Sequence, residues 1–229
     1  MRISKYFSRS ISLWILLLLS TLCVSAQQRK QMVMQDTDSI ATFRGIAVST
    51  DLVGPIQLLA SSYGQIEGAI RLNFKDRYYP IIELGYGKAD ATDDVTRLKY
   101  KTNAPYGKIG IDFNLLKNKH DIYRLLAGFR YAYTSYKFDI DSEAPLSDPV
   151  WGGNANYSAH DIKANCGWAE AVMTVDAKIF GPIRMGWSVR YKHRLNHDDG
   201  NVGSTWYVPG YGKQSNARIG GTFNITIEM

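Results

Sequence analysis

The sequence predicts an all-β fold, an eight-stranded antiparallel up-and-down transmembrane β-barrel with long extracellular loops and short periplasmic turns. Three observations lead to this prediction. Apolar and polar residues alternate strictly over 215–229, which is the two-residue period of a β-strand. Segments with the same period recur along the chain, and the connections between them alternate between long and short. After residue 26, no apolar run approaches the ~20 residues that a membrane-spanning helix needs.

Residues 1–26 have the pattern of a secretory signal peptide. Basic residues without an acid precede an apolar core over 11–19, and small residues at 24–26 form a cleavage site. Cleavage would remove three positive charges and no acid, so the net charge would fall from +6 to +3. A charge this small does not indicate a nucleic-acid partner. Cys166 would be the one cysteine left, so no internal disulfide is expected.

The rest of the chain divides into a linker and a barrel. Residues 27–42 are polar and lack a sustained period, so they are expected to form a periplasmic N-terminal linker. The barrel is expected over 43–229. Its eight predicted strands are 43–51, 63–75, 78–90, 105–116, 121–140, 161–180, 183–197 and 215–229. Their connections begin and end with a long one, which puts both ends of the barrel on the side of the short turns, the periplasm.

Each predicted strand has one apolar and one polar face, and the polar face is expected to point inward. The resulting interior charge network would comprise Glu67, Arg71, Glu83, Lys108, Asp112, Arg124, Arg130, Glu170, Asp176, Lys178, Arg184, Arg190 and Arg218. An eight-stranded interior is only wide enough for side chains to fill it, and buried charges are costly unless paired. The pattern therefore favours a packed, salt-bridged core over a selective pore.

A soluble, secreted lipocalin-like barrel would show the same alternation with the apolar face inward. Aromatic residues near the strand ends of the apolar face, such as Tyr131 and Tyr191, are typical of membrane girdles instead. The difference in length between the two sets of loops also exceeds what a soluble barrel needs. The membrane barrel is the favoured prediction.

The segment Arg218–Ile225, RIGGTFNI, resembles the C-terminal assembly signal of outer-membrane barrels, although the chain ends on Met229 where an aromatic residue is usual. With the signal peptide and strand count, the chain resembles small outer-membrane β-barrels of the OmpA/OmpX-like type. It is most similar in pattern to porin-like families common in Bacteroidota. This resemblance implies the outer membrane of a Gram-negative bacterium, contact with outer-membrane lipids and lipopolysaccharide, and the barrel assembly machinery as a partner during biogenesis.

Some small outer-membrane barrels modify lipid A, with a histidine that activates a nearby serine. The histidines His193 and His197 are followed two residues later by Leu195 and Asp199, so neither matches the deacylase pattern of a serine at that position. The sequence therefore predicts a protein that is not an enzyme, and it shows neither a cofactor motif nor a metal-binding spacing.

The remaining candidates for function are aromatic residues in the two longest loops, 141–160 and 195–214. The candidate ligand-binding residues are Trp151, Tyr157, Trp206, Tyr207 and Tyr211. Rigid aromatic rings among Gly, Asn and Asp suit binding, although they could instead pack the loops together or lie at the lipid headgroups. The predicted role is envelope structure or surface interaction, with a lipid A-modifying enzyme or a soluble carrier as the alternatives.

Overall fold

The computed structural model describes residues 41–93, 96–142, 145–147, 152, 154–155, 157–198, 200 and 203–229. The predicted signal peptide, residues 27–40 of the predicted linker and Trp151 lie outside the described residues. Among the described residues, no helix is long and apolar enough to cross a membrane.

Eight antiparallel strands form a closed barrel, which confirms the predicted fold. They are β1 (Phe43–Asp51), β2 (Tyr63–Phe74), β3 (Tyr78–Thr92), β4 (Leu98–Asn114), β5 (Tyr123–Ser142), β6 (Ser158–Phe180), β7 (Ile183–Asp198) and β8 (Ala217–Glu228). Each strand pairs with its neighbours in sequence, and β8 closes the ring by pairing with β1. Two further pairs of two-residue strands are not part of the barrel sheet: Leu146–Ser147 with Asn154–Ala155, and Tyr207–Val208 with Gly212–Lys213.

Strands β4, β5 and β6 reach further toward the extracellular end than the alternating pattern predicted. The strands β5 and β6 have 20 and 23 residues, whereas crossing a bilayer takes about 9–11. The β5–β6 hairpin therefore rises above the membrane. Its inward residues change in character on the way up, from the charged Arg130 to the apolar Tyr136 and Phe138, which are buried with Trp168 in an apolar cluster.

The first long connection contains a helix that the alternating pattern did not predict. Helix α1 (Val53–Ala60) begins where the Asp51 carboxylate accepts hydrogen bonds from the backbone N–H of Val53 at 3.0 Å and of Gly54 at 2.9 Å. Pro55 lies in the first turn, where its missing N–H is of no consequence. The carboxylate thus converts the end of β1 into the start of a helix.

The two faces of the wall differ in the way that a membrane requires. Outward side chains are apolar and exposed, for example Phe129 at 67% and Trp187 at 64% of their surface. Inward side chains in the same strands are polar and buried, as Arg130 and Ser188 are. A closed barrel leaves no unpaired edge facing lipid where its strands are paired. An apolar exterior around a polar interior is the arrangement of a transmembrane barrel and the reverse of a soluble carrier.

Candidate functional site

Acidic and basic side chains meet at the centre of the barrel. Lys108 Nζ lies 2.8 Å from a carboxylate oxygen of Glu67 and 3.2 Å from one of Glu170. The Arg190 guanidinium lies 2.9 Å from Glu67 and 2.8 Å from Glu83. All five side chains are buried. Two cations therefore share three carboxylates in what we call the central charge cluster, made of these five residues.

Further ion pairs extend from this cluster toward the periplasm. Arg130 donates to a Glu83 carboxylate oxygen at 3.0 Å and to Asp112 at 2.6 Å. Arg71 lies 3.1 Å from the same Asp112. Below them, Arg184 donates to Asp176 at 2.6 Å. The pairing is continuous because alternate residues of neighbouring strands project into one narrow lumen.

Three cations of the predicted interior network lie toward the barrel ends. Arg124 pairs with Glu228 at the periplasmic end. Lys178 is exposed there. At the opposite end, Arg218 donates to the backbone carbonyl of Lys213 at 3.0 Å. Lys178 and Arg218 therefore stand apart from the central charge cluster.

Two aromatic side chains cover the cluster on its extracellular side. The Tyr106 hydroxyl donates to Glu67 at 2.9 Å, and the Trp168 indole N–H donates to Glu170 at 2.7 Å. The sequence analysis missed both as partners of the network. Their position on the polar face of their strands was the available signal, because a Tyr or Trp there has a donor that a carboxylate can accept.

The segment between β7 and β8 folds into the mouth of the barrel, and we call residues 203–216 the inner loop. Tyr207 and Tyr211 are each 2% exposed, so they lie inside and not on the surface. The buried Pro209 and Gly210 form its tip. A Cβ on Gly87 would lie 2.8 Å from Pro209 Cα, so the tip can seat here only because Gly87 has no side chain.

The inner loop is held by Lys192, which the predicted interior network also omits. Its ammonium donates to the carbonyl oxygens of Gly210 at 2.6 Å and Tyr211 at 3.3 Å. The Tyr211 ring packs edge-on against Trp168, with centroids 5.7 Å apart. The inner loop thus rests on the same aromatic layer that covers the central charge cluster.

The five candidate aromatic residues do not share one surface. Trp206 is partly buried and packs edge-on against Tyr63 at 5.4 Å, with Lys213 over its ring at 4.5 Å. Tyr157 lies on the other long loop, partly buried against the apolar cluster. Trp151 lies outside the described residues. Tyr207 and Tyr211 are buried in the mouth of the barrel.

The periplasmic end is closed by polar contacts between turns. Asp76 lies 2.8 Å from the Arg44 guanidinium and 2.6 Å from His120 Nδ1, and it accepts a hydrogen bond from Asn73 at 2.6 Å. Burial by itself raises the pKa of Asp76. Hydrogen bonds from Asn73 and His120 and the charges of Arg44 and Arg124 outweigh it, so the pKa of Asp76 lies below its ordinary value.

One group of side chains has some of the parts of a hydrolytic site. On the extracellular rim, Ser158 Oγ lies 2.8 Å from His160 Nε2, but it donates to Asp141 at 2.6 Å. His160 Nδ1 is 3.8 Å from Asp139, too far for a hydrogen bond. The histidine side chain is 60% exposed. The serine proton is therefore directed to a carboxylate and the base is not oriented, so the group is better explained as a polar rim.

Within the described part of the barrel, two recesses reach into the interior, with very little space between them. The periplasmic recess, about 290 Å³, is lined by residues such as Arg71 and Arg184. The outer recess, about 410 Å³, reaches down to Arg190. The space between them, beside Arg71, Glu83 and Arg190, measures about 10 Å³, which is roughly room for a single water. Among the described residues, no cluster of His, Cys, Asp and Glu could hold a metal ion.

A family model described as "Domain of unknown function (DUF6048)" matches residues 6–229. No curated protein sequence matches the chain.

A closed barrel with this apolar exterior lies in the outer membrane of a Gram-negative bacterium, where its outer surface contacts membrane lipid and lipopolysaccharide.

Three solved structures of bacterial proteins are similar to the chain. Neisserial surface protein A is 10% identical, with 82% of this chain and 100% of that one covered and a TM-score of 0.45. A major outer membrane protein from Thermus thermophilus is 8% identical, with 81% and 100% covered and a TM-score of 0.47. CarO2 of Acinetobacter baumannii is 13% identical, with 82% and 98% covered and a TM-score of 0.38. These likenesses are too distant to carry an argument about function.

Proposed function

The chain belongs to the DUF6048 family, and we propose that it is a non-enzymatic, non-conducting outer-membrane barrel that serves envelope structure or surface interaction. The observation that carries this proposal is the central charge cluster, because its buried ion pairs occupy the lumen. The strand number and size support the finer proposal of an OmpA/OmpX-like type, similar to porin-like families of Bacteroidota. The barrel assembly machinery is its proposed partner during biogenesis, through the β8 segment Arg218–Ile225.

The packing of the lumen argues against ion conduction. An ion between the two recesses would find little room, since the space beside Glu83 and Arg190 at this level measures about 10 Å³. It would also have to displace Lys108 or Arg190 from their carboxylates, which leaves buried charges unpaired. The inner loop covers the extracellular side of this level with Tyr207 and Tyr211.

Conduction is tested by placing the purified barrel in a planar lipid bilayer. We expect no discrete conductance steps, either from the wild type or from a variant in which residues 205–213 are replaced by a short Gly-Ser linker. The variant separates the two barriers, since it removes the inner loop and keeps the central charge cluster. Steps of uniform size in the wild type would overturn the non-conducting proposal.

Lipid A modification is the alternative function, and the rim group of Ser158, His160 and Asp141 is the one place in the described residues that could support it. An acylation assay on lipid A with the wild type and with Ser158→Ala tests it. We expect no change in lipid A with either protein. Modification by the wild type that Ser158→Ala abolishes would establish an enzyme.

Surface interaction and envelope structure are separated by complementing a gene deletion. One variant replaces residues 143–157 with a tight turn. A second variant keeps the length of this loop but carries Trp151→Ser and Tyr157→Ser. A surface role predicts that both fail to complement while folding, judged by heat-modifiable gel mobility, is preserved. Full complementation by both would favour a purely structural role. The inner loop is left intact here, because its tyrosines are part of the packed interior.

A further inference from the structure

The barrel wall is incomplete on the extracellular half of the seam between β1 and β8. Strand β1 pairs with β8 over Ala47–Asp51 and Asn224–Glu228. The last backbone bond on the extracellular side runs from the Leu52 N–H to the Phe223 carbonyl at 2.9 Å. Beyond that point the chain turns into α1, whereas β8 continues to Ala217. Over residues 217–222, β8 therefore faces a helix and not a strand.

This part of β8 presents backbone groups toward the gap. Phe223 and Met229 bond on the β1 side of the strand, and Asn216 accepts from Arg194 of β7 on the other side. Because bonding direction alternates along a strand, Ile219 and Gly221 direct their N–H and C=O groups toward α1. Within the described part of the chain these groups have no strand opposite them.

The outer recess lies at this gap. Its apolar walls come from α1 and β8, where Val53, Ile56 and Ile219 line it, and Arg190, Lys192 and Arg218 supply positive charge. None of its lining residues is an Asp or Glu. A volume of about 410 Å³ is within the range of small-ligand sites.

The cations that line the recess do not use all of their N–H donors in the contacts described. Arg190 is 5% exposed, and although its NH1 is paired with Glu67 and Glu83, its Nε is buried without a hydrogen-bond partner. The carboxylate nearest to the Lys192 ammonium is Glu170 at 3.9 Å. Arg218 bonds only to a backbone carbonyl among its described contacts. An anionic group would be a stronger partner for Lys192 and Arg218 than their present carbonyl acceptors, and it would supply an acceptor for the Arg190 Nε.

The gap opens on a lipid-facing surface. Ile56, Leu59 and Ile219 are 62%, 91% and 73% exposed. An apolar chain could pass from the membrane along these side chains into the recess without meeting a charge before the cations. We propose that the outer recess binds an anionic amphiphile from the membrane, with its acyl chain between α1 and β8 and its carboxylate or phosphate at Arg190, Lys192 and Arg218. The proposal rests on the outer-membrane location proposed above.

The test uses the purified, folded barrel in a neutral maltoside detergent and three probes of equal chain length. A fluorescent fatty acid carries a carboxylate, a monoalkyl phosphate carries a phosphate, and a fatty alcohol carries neither. We expect saturable binding of the two anions with one site, and binding of the alcohol about tenfold weaker or more, because the charged hydrogen bonds are lost. The stronger of the two anions identifies the headgroup class. Equal binding of the alcohol, or no saturable binding, would overturn the proposal.

Two variants place the site. Gly220→Val fills the recess, since a Cβ at Gly220 meets nothing closer than Lys192 Cε at 4.0 Å. Its control, Gly107→Val, lies on a distant strand, where a Cβ meets Leu84 at 3.6 Å. Arg218→Gln removes a cation at the mouth, and its control Arg77→Gln makes the same charge change at the periplasmic end. We expect each recess variant, and neither control, to weaken anion binding by about tenfold. Equal effects of variant and control would refute the location.

Measuring whether the barrel folds distinguishes a failure of the ligand-site proposal from a failure of the proposed function. Heat-modifiable mobility and recovery with outer membranes report on the barrel, whereas the three probes report on the recess. A barrel that folds and binds no anion refutes only the ligand site. If the recess variants misfold, the comparison of the three probes on the wild type still decides the proposal.

Discussion

The periplasmic and extracellular halves of the β1–β8 seam use the same strand, β8, but close the wall by different means. In the periplasmic half, backbone hydrogen bonds join β8 to β1 down to Ile46 and Met229, at 2.9 and 2.8 Å. In the extracellular half, α1 replaces β1 and leaves the outer recess. One carboxylate, that of Asp51, sits at the boundary. A barrel can therefore be closed by backbone hydrogen bonds at one end of a seam and still keep an opening to lipid at the other.

The largest effect is expected in the lumen beside this seam, where the central charge cluster pairs its buried charges. Glu83 is 1% exposed and lies within ion-pair distance of Lys108, Arg130 and Arg190. Glu83→Gln should lower the free energy of unfolding by about 3–5 kcal/mol, because it leaves buried cations short of a counter-charge. Urea titration in lipid vesicles measures it.

The matched control for Glu83→Gln is the exposed pair Lys99–Asp90 near the top of β3 and β4, whose side chains are 46% and 40% exposed. Lys99→Met should cost no more than about 1 kcal/mol. A cost for Glu83→Gln as small as this would mean that the central charge cluster stabilises the barrel no more than an exposed ion pair does.

The boundary itself is tested at Asp51. Its carboxylate accepts from the N–H groups of Val53, Gly54 and Phe223, the last at 3.1 Å. Asp51→Ala should destabilise the barrel by about 2–3 kcal/mol, since buried donors lose a charged acceptor. Asp121→Ala is the control, because that exposed side chain accepts a single bond from the neighbouring Ile122. Equal losses in the two variants would contradict the role given to Asp51.

Amide hydrogen exchange compares the two halves of the seam directly. Ile219 and Gly221 direct their N–H groups into the gap, whereas Ile225 and Ile227 lie opposite β1 residues in the ladder. Exchange at the first pair should be faster by about tenfold or more, because no backbone bond has to break. NMR of the barrel in micelles measures it. Equal protection along β8 would show that the wall is closed on both halves.

The smallest expected effect lies at the periplasmic end, where Asp76 joins the turns. Its folded pKa is lowered, so the ionised carboxylate stabilises the fold above its unfolded pKa of about 3.9, and this contribution is lost as pH falls through the folded value. Asp76→Asn should cost under about 1 kcal/mol at neutral pH, since Arg44 is 39% exposed. Below about pH 4, the free energy of unfolding of Asp76→Asn should also vary less with pH than that of the wild type. If Asp76→Asn and the wild type lost the same free energy of unfolding in acid, Asp76 would be excluded as a source of the acid sensitivity.

The strands and the two faces of the wall were predictable from the sequence, apart from the extracellular end of β4 and the helix α1. Alternation over β8 and β7 follows from the two-residue period of a strand, and an inward charge such as Arg130 follows from its neighbours Phe129 and Tyr131 on the apolar face. The short turns and long loops followed from turn residues between these segments. All of these signals are local, and local patterns survive in the sequence.

The tertiary structure alone decided which charges pair, where the inner loop goes and where the wall opens. Tyr207 and Tyr211 have the composition of surface binding residues, yet they are buried because Gly87 of β3, distant in sequence, leaves room for the inner loop and Lys192 of β7 holds it. Asp51 gave no sign of starting a helix, since its acceptor role depends on β8 as well as on the residues that follow it. Such contacts join strands that are distant in the chain, and no local period records which side chains will meet across a lumen.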